Sequence, residues 1–158
     1  MLENTLKVSF ILTAMTYLMS LAFSPYPFQY LLKVLPIIIL LVGSVSFLSG
    51  QARLWMSSGV IASGIGDIFL ALPIEQSFIF GLSAFFIAQL IYTTRFFSCI
   101  KVHEVSSLPF ILAIVLVIYS IMMAVYILPD TQELLIPVSA YLTVITLMGA
   151  CALISNLD

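Results

Sequence analysis

The chain holds one carboxylate where a carboxylate is expensive. In Gly59-Val60-Ile61-Ala62-Ser63-Gly64-Ile65-Gly66-Asp67-Ile68-Phe69-Leu70, Asp67 sits well inside an apolar run. An acid at that depth of a membrane span costs a few kcal/mol or more, so its default reading is functional. The chemistry on offer is carboxylate acid/base work in a low-dielectric pocket, where the cost of burying charge keeps the acid protonated and able to donate. Helical spacing puts Gly59, Ser63, Gly66 and Asp67 on one face, a small-residue stripe that lets another helix come close. The plainer alternative for Asp67 is a protonated or hydrogen-bonded packing residue near its helix end. Gln89 and Tyr92, three apart, share a face that Phe85 and Phe96 continue; they either orient a reacting group or hold helices together. The same choice applies to Tyr141, Thr143 and Thr146, although a Thr hydroxyl can also bond its own helix. Lys33 stands at a span start, where a long cation reaches for headgroups or a lipid phosphate.

Other chemistries lack their residues. Cys99, Cys151 and His103 have no ligand or disulfide spacing, so no metal site is expected. Gly64-Ile65-Gly66-Asp67 follows no strand and lacks the third glycine of a dinucleotide loop, and no Ser occupies a Gly-x-Ser-x-Gly elbow. No cofactor is called for, and without a basic cluster nucleic acid is not an expected partner.

The elements that must position these residues are membrane helices. Of 158 residues, 63% are hydrophobic and 8% charged, and mean hydropathy is +1.24. Five Lys plus Arg and seven Asp plus Glu cannot cover a soluble globule of this size. The apolar runs stay apolar too long for barrel strands. They predict an all-α transmembrane bundle, a single domain over 1–158, with about six spans near 6–23, 33–48, 54–72, 78–97, 108–128 and 134–154. Pro36, Pro73, Pro109 and Pro137 recur near the expected helix starts, the tolerated first-turn placement. The first run is expected to be a span, since Glu3 and Ala22-Phe23-Ser24 do not suit a cleaved signal peptide. Lys7, Arg53, Arg95 and Lys101 fall on one side and only Lys33 on the other, which predicts both termini in the cytoplasm.

The runs Ser63-Gly64-Ile65-Gly66-Asp67-Ile68-Phe69-Leu70-Ala71-Leu72-Pro73 and Phe80-Gly81-Leu82-Ser83-Ala84-Phe85-Phe86-Ile87-Ala88-Gln89-Leu90-Ile91-Tyr92 resemble the core signature of the YhhN-like lysoplasmalogenase family. Lys33-Val34-Leu35-Pro36 is similar to that family's Lys-Pro-Leu entry into its second span, with the proline displaced. The stretch from Pro137-Val138-Ser139-Ala140-Tyr141 to Met148 is similar to a later Pro-Val-x-x-Tyr span. The resemblance implies a plasma (inner) membrane hydrolase that cleaves the vinyl-ether bond of lysoplasmalogen, giving a fatty aldehyde and a glycerophospho-headgroup. On that basis Asp67 is the candidate acid/base, with Gln89 and Tyr92 orienting it or the water. Lys33, Ser63 and Tyr141 are the candidate substrate contacts, Lys33 toward the headgroup phosphate.

The family usually has eight spans and a second acid in a Ser-Asp motif at a further C-terminal span. This sequence stops at Ser155-Asn156-Leu157-Asp158, so the expectation is a chain lacking that block, either inactive alone or completing its pocket by pairing with another copy. Two other classes stand beside the hydrolase: a transporter or channel component built on the buried Asp67, and an inactive assembly partner.

Overall fold

A computed structural model describes residues 2–23, 29–101 and 107–155. The chain is helical, as its hydropathy requires: α1 (Leu2–Ser20), α2 (Gln29–Phe47), α3 (Gly50–Ala71), α4 (Ser77–Phe97), α5 (Ser107–Ile127) and α6 (Leu135–Ile154). Five of the six are long and apolar enough to cross a membrane. The second is shorter, its apolar stretch running Leu31–Phe47. His103 and the terminal Asn156, Leu157 and Asp158 lie outside the described residues.

Side-chain exposure is the reverse of a soluble core. The buried apolar residues are the small or medium Ala88, Ala113, Val144 and Cys151, whereas Leu, Ile, Phe and Met are exposed along every helix. In lipid this is the favourable arrangement, since hydrocarbon solvates large side chains as well as a core does, and helices associate through their small residues.

Two compact units divide the chain, Met1–Ala88 and Gln89–Asp158. In the first, α2 and α3 form an antiparallel hairpin closed by two residues, Leu48 and Ser49. Gly50 makes so short a connection feasible, because its φ of +53° lies where only glycine is unstrained. Arg53 Nε donates to Leu48 O at 2.7 Å, satisfying a carbonyl at the end of α2. The hairpin register reads from its contacts. The Ser44 and Ser57 hydroxyls meet at 3.0 Å, and Gly64 abuts Ile37. Seven residues back along α2 are therefore matched by seven forward along α3, the repeat of antiparallel helices packed along a seam. The next step, four back and three forward, brings Lys33 to Asp67.

The start of α4 folds against the end of α3 after a turn that contains Pro73. A Cβ on Gly66 would lie 2.8 Å from the Phe85 ring, and one on Gly81 would lie 2.6 Å from Leu70 Cγ and 3.2 Å from Gly66 O. A side chain at either glycine would have to displace a neighbour, Phe85 at Gly66 and Leu70 at Gly81. Gly64 and Gly66, two residues apart, thus serve different neighbours, α2 and α4.

In the second unit, α5 and α6 form a hairpin through two short 3-10 turns, Leu128–Asp130 and Gln132–Leu134, and Gly149 lies against Leu116. Pro109 and Pro137 stand third in α5 and α6, within the first turn as expected. Pro36 does not: α2 begins at Gln29, which places Pro36 two turns in. Its ring has no N–H to give the carbonyl of Leu32, one residue from Lys33. The expected start near residue 33 was late: α2 takes in Gln29 and Tyr30, since a membrane helix carries polar groups into the interface. The early start of α1 has a similar cause: Glu3 and Lys7 pair one turn apart, so the charged residues join the helix.

Candidate functional site

The first unit contains an ion pair between helices. Lys33 Nζ donates to Asp67 Oδ1 at 2.7 Å, and the two side chains are 22% and 20% exposed. Hairpin geometry makes the meeting unavoidable. Lys33 stands four residues after the start of α2 and Asp67 four before the end of α3, so a tight connection at the far ends sets them opposite one another. At 1.5 Å per residue both lie about 6 Å, one helical turn, inside their helix ends.

This pairing revises the reading of both residues. Lys33, expected as a headgroup anchor, is held by a carboxylate within the bundle. Asp67, expected to be neutral because isolated, has a cationic partner that compensates its charge, the usual condition for an acid at this depth. At this length the contact is a charge-assisted hydrogen bond, about twice as strong as a neutral one. Of the expected small-residue stripe, Gly59 and Gly66 are buried and Ser63 is half-buried one turn before Asp67, but Gly66 meets Phe85 of α4 whereas Asp67 meets Lys33 of α2. Ile61, Ile65 and Ile68 face outward.

A second polar pair belongs to the second unit. Gln89 is 9% exposed, and its side chain hydrogen-bonds Tyr141. Its Oε1 is buried without a hydrogen-bond partner. Leaving such an acceptor unmet costs about 1–3 kcal/mol, so it suits a hydrogen-bond donor brought by water or substrate. Sequence spacing linked Gln89 with Tyr92. In the structure the Tyr92 ring stacks on Phe96, with centroids 6.5 Å apart, and Tyr141 is the residue that engages the amide. No spacing rule could have found this pair, because its members are 52 positions apart and on different helices.

Other hydroxyls are committed elsewhere. Thr143 donates to Ser139 O, Thr146 to Leu142 O and Ser139 to Ile136 O, so these three serve their own helix rather than gluing two together. They border an apolar groove of about 360 Å³ between α5 and α6. Among the described residues no group of three His, Cys, Asp or Glu could hold a metal ion.

No curated protein and no solved structure matches the chain. A family model does: that of the YhhN family matches residues 28–157, which takes in α2 to α6, both polar pairs and every sequence block that carries the resemblance. The chain belongs to the YhhN family.

Proposed function

We propose that this chain is a membrane hydrolase that cleaves the vinyl-ether bond of lysoplasmalogens, releasing a fatty aldehyde and a glycerophospho-headgroup. The observation that carries the reading is the Lys33–Asp67 pair, a proton-bearing couple one turn inside the ends of α2 and α3. A vinyl ether joins a lipid's glycerol to its chain just beneath the headgroup, so the reacting atoms lie at this depth. Lysoplasmalogenase activity is known in the YhhN family, which supports the same substrate class.

Vinyl-ether hydrolysis begins with a proton on the β-carbon. The proton shared by Lys33 and Asp67 passes to Oδ1, and Asp67 delivers it as general acid. The substrate becomes an oxocarbenium ion, and the carboxylate left behind faces that new positive charge, a stabilisation that grows only as the transition state forms. Water adds to the cation, its proton returns to the Lys33–Asp67 couple, and the hemiacetal collapses to aldehyde and alcohol. In this scheme Ser63, one turn before Asp67 on α3, contacts the substrate. The cation distribution supports an orientation with both termini in the cytoplasm of an inner (plasma) membrane, in which the Lys33–Asp67 end of the α2–α3 hairpin opens to the opposite leaflet.

The test is aldehyde release from lysoplasmalogen by the purified protein in lipid nanodiscs. Wild type releases aldehyde, and Asp67→Asn loses about 10²–10⁴-fold in turnover, the range of general-acid catalysis. Absence of release from the wild type, alongside a second family member that is active under the same conditions, defeats the reading. Full activity in Asp67→Asn would leave the reaction standing and remove Asp67 from it.

A further inference from the structure

The reaction proposed above would leave a long-chain aldehyde beside a primary amine, and the surroundings of that amine favour its capture. We propose that Lys33 Nζ condenses reversibly with a long-chain aldehyde to give a protonated imine whose counter-ion is Asp67. The inference takes its internal source of aldehyde from the proposed hydrolysis, but the condensation itself needs only the two residues and an aldehyde dissolved in lipid.

The step balances without an oxidant or reductant. A carbon–nitrogen double bond forms between Nζ and the carbonyl carbon, and the carbonyl oxygen leaves as water with two of the three ammonium protons. The third stays on nitrogen. Net charge is unchanged, so the ion pair persists with an iminium where the ammonium was, and no uncompensated charge arises in a medium that penalises one. Asp67 Oδ1, 2.7 Å from Nζ, accepts the proton that must leave before nitrogen can attack and supplies it to the departing oxygen. Lysine used as a nucleophile toward carbonyls works in such partly desolvated settings.

Position and access agree with the chemistry. A long-chain aldehyde dissolved in a bilayer keeps its polar end near the interface, and Nζ lies about one turn inside the helix ends. At 22% exposure Lys33 is sheltered yet reachable, and its sequence neighbours Leu32, Val34 and Leu35 are apolar. The other two lysines offer no such setting. Lys7 is 67% exposed and paired with Glu3, and Lys101 is exposed beyond the end of α4.

The test uses protein in phosphatidylcholine nanodiscs, which contain no lipid amine, treated with hexadecanal and cyanoborohydride and mapped by peptide mass. An added octylamine reports that imine formation and reduction proceed in the discs. Lys33 is expected to carry the reduced alkyl group at about tenfold or more the occupancy of Lys7 or Lys101. Lys33→Arg, which keeps the ion pair and the fold, loses that label. Asp67→Asn slows it by about tenfold or more, as loss of a proton acceptor requires. Equal labelling of the three lysines, or alkylated octylamine with no label on Lys33, overturns the proposal, and an undiminished rate in Asp67→Asn overturns the part given to the counter-ion. A parallel arm replaces hexadecanal with lysoplasmalogen. Label from hexadecanal but not from lysoplasmalogen upholds the aldehyde site while removing the hydrolysis, so the two readings fail separately.

Discussion

Breaking the Lys33–Asp67 pair in two steps separates what it does for the fold from what it does for chemistry. At 2.7 Å, two unit charges attract by about 6 kcal/mol at an effective dielectric of about 20, most of it offset by desolvation. Net stabilisation is therefore small, but removing one partner strands the other charge, at a cost of about 3–5 kcal/mol for a buried pair. With the side chains 22% and 20% exposed, about 2–4 kcal/mol is expected for Lys33→Met or Asp67→Asn alone. The double variant strands nothing and should return to within about 1 kcal/mol of wild type, a coupling of several kcal/mol in a double-mutant cycle. Stability is measured by reversible unfolding in mixed detergent micelles, followed by circular dichroism, and turnover on the same samples. Turnover should stay lost in the double variant even though the fold recovers. Additive stability losses would show that the two charges do not compensate each other and refute the reasoning. Recovery of turnover together with stability would reduce Asp67 to a structural residue.

Further outcomes test the packing and the second polar pair. Gly66→Ala and Gly81→Ala, with Cβ positions 2.8 and 2.6 Å from Phe85 and Leu70, should each destabilise by about 1–3 kcal/mol as overpacking does. Gly64→Ala, at 3.3 Å from Ile37 Cγ2, should cost less, and Gly43→Ala, with nothing within 4 Å, should be neutral or stabilising; denaturant titration ranks the four. Gln89→Leu removes a buried acceptor without a partner but also the amide that engages Tyr141, so the two effects on stability oppose and the net change should stay within about 1 kcal/mol in a denaturant titration. Proton flux into liposomes that depends on Asp67, without aldehyde release, would favour the carrier reading over hydrolysis.

The six helices were legible because each is a predominantly apolar run bounded by Pro, Gly or polar residues, and hydropathy is the main signal for a membrane span. What escaped the sequence reading depends on which face meets which neighbour. Gln89 and Tyr92 share a face by periodicity, yet that periodicity cannot name the residue opposite, and Tyr141 on α6 bonds the amide. Lys33 could have been matched with Asp67 from sequence, since Leu48 and Ser49 are the only residues between two helices of similar length. The obstacle was local. With α2 expected to begin at Lys33, the lysine stood at the membrane surface and its partner was sought among headgroups. Starting the helix at Gln29 moves Lys33 one turn inward, where an unpaired ammonium is as costly as an unpaired carboxylate. A chain with so few charges then has one economical arrangement, in which each ion serves as the other's solvent. That arrangement also sets an ammonium 2.7 Å from the carboxylate that the proposed reaction uses as its acid.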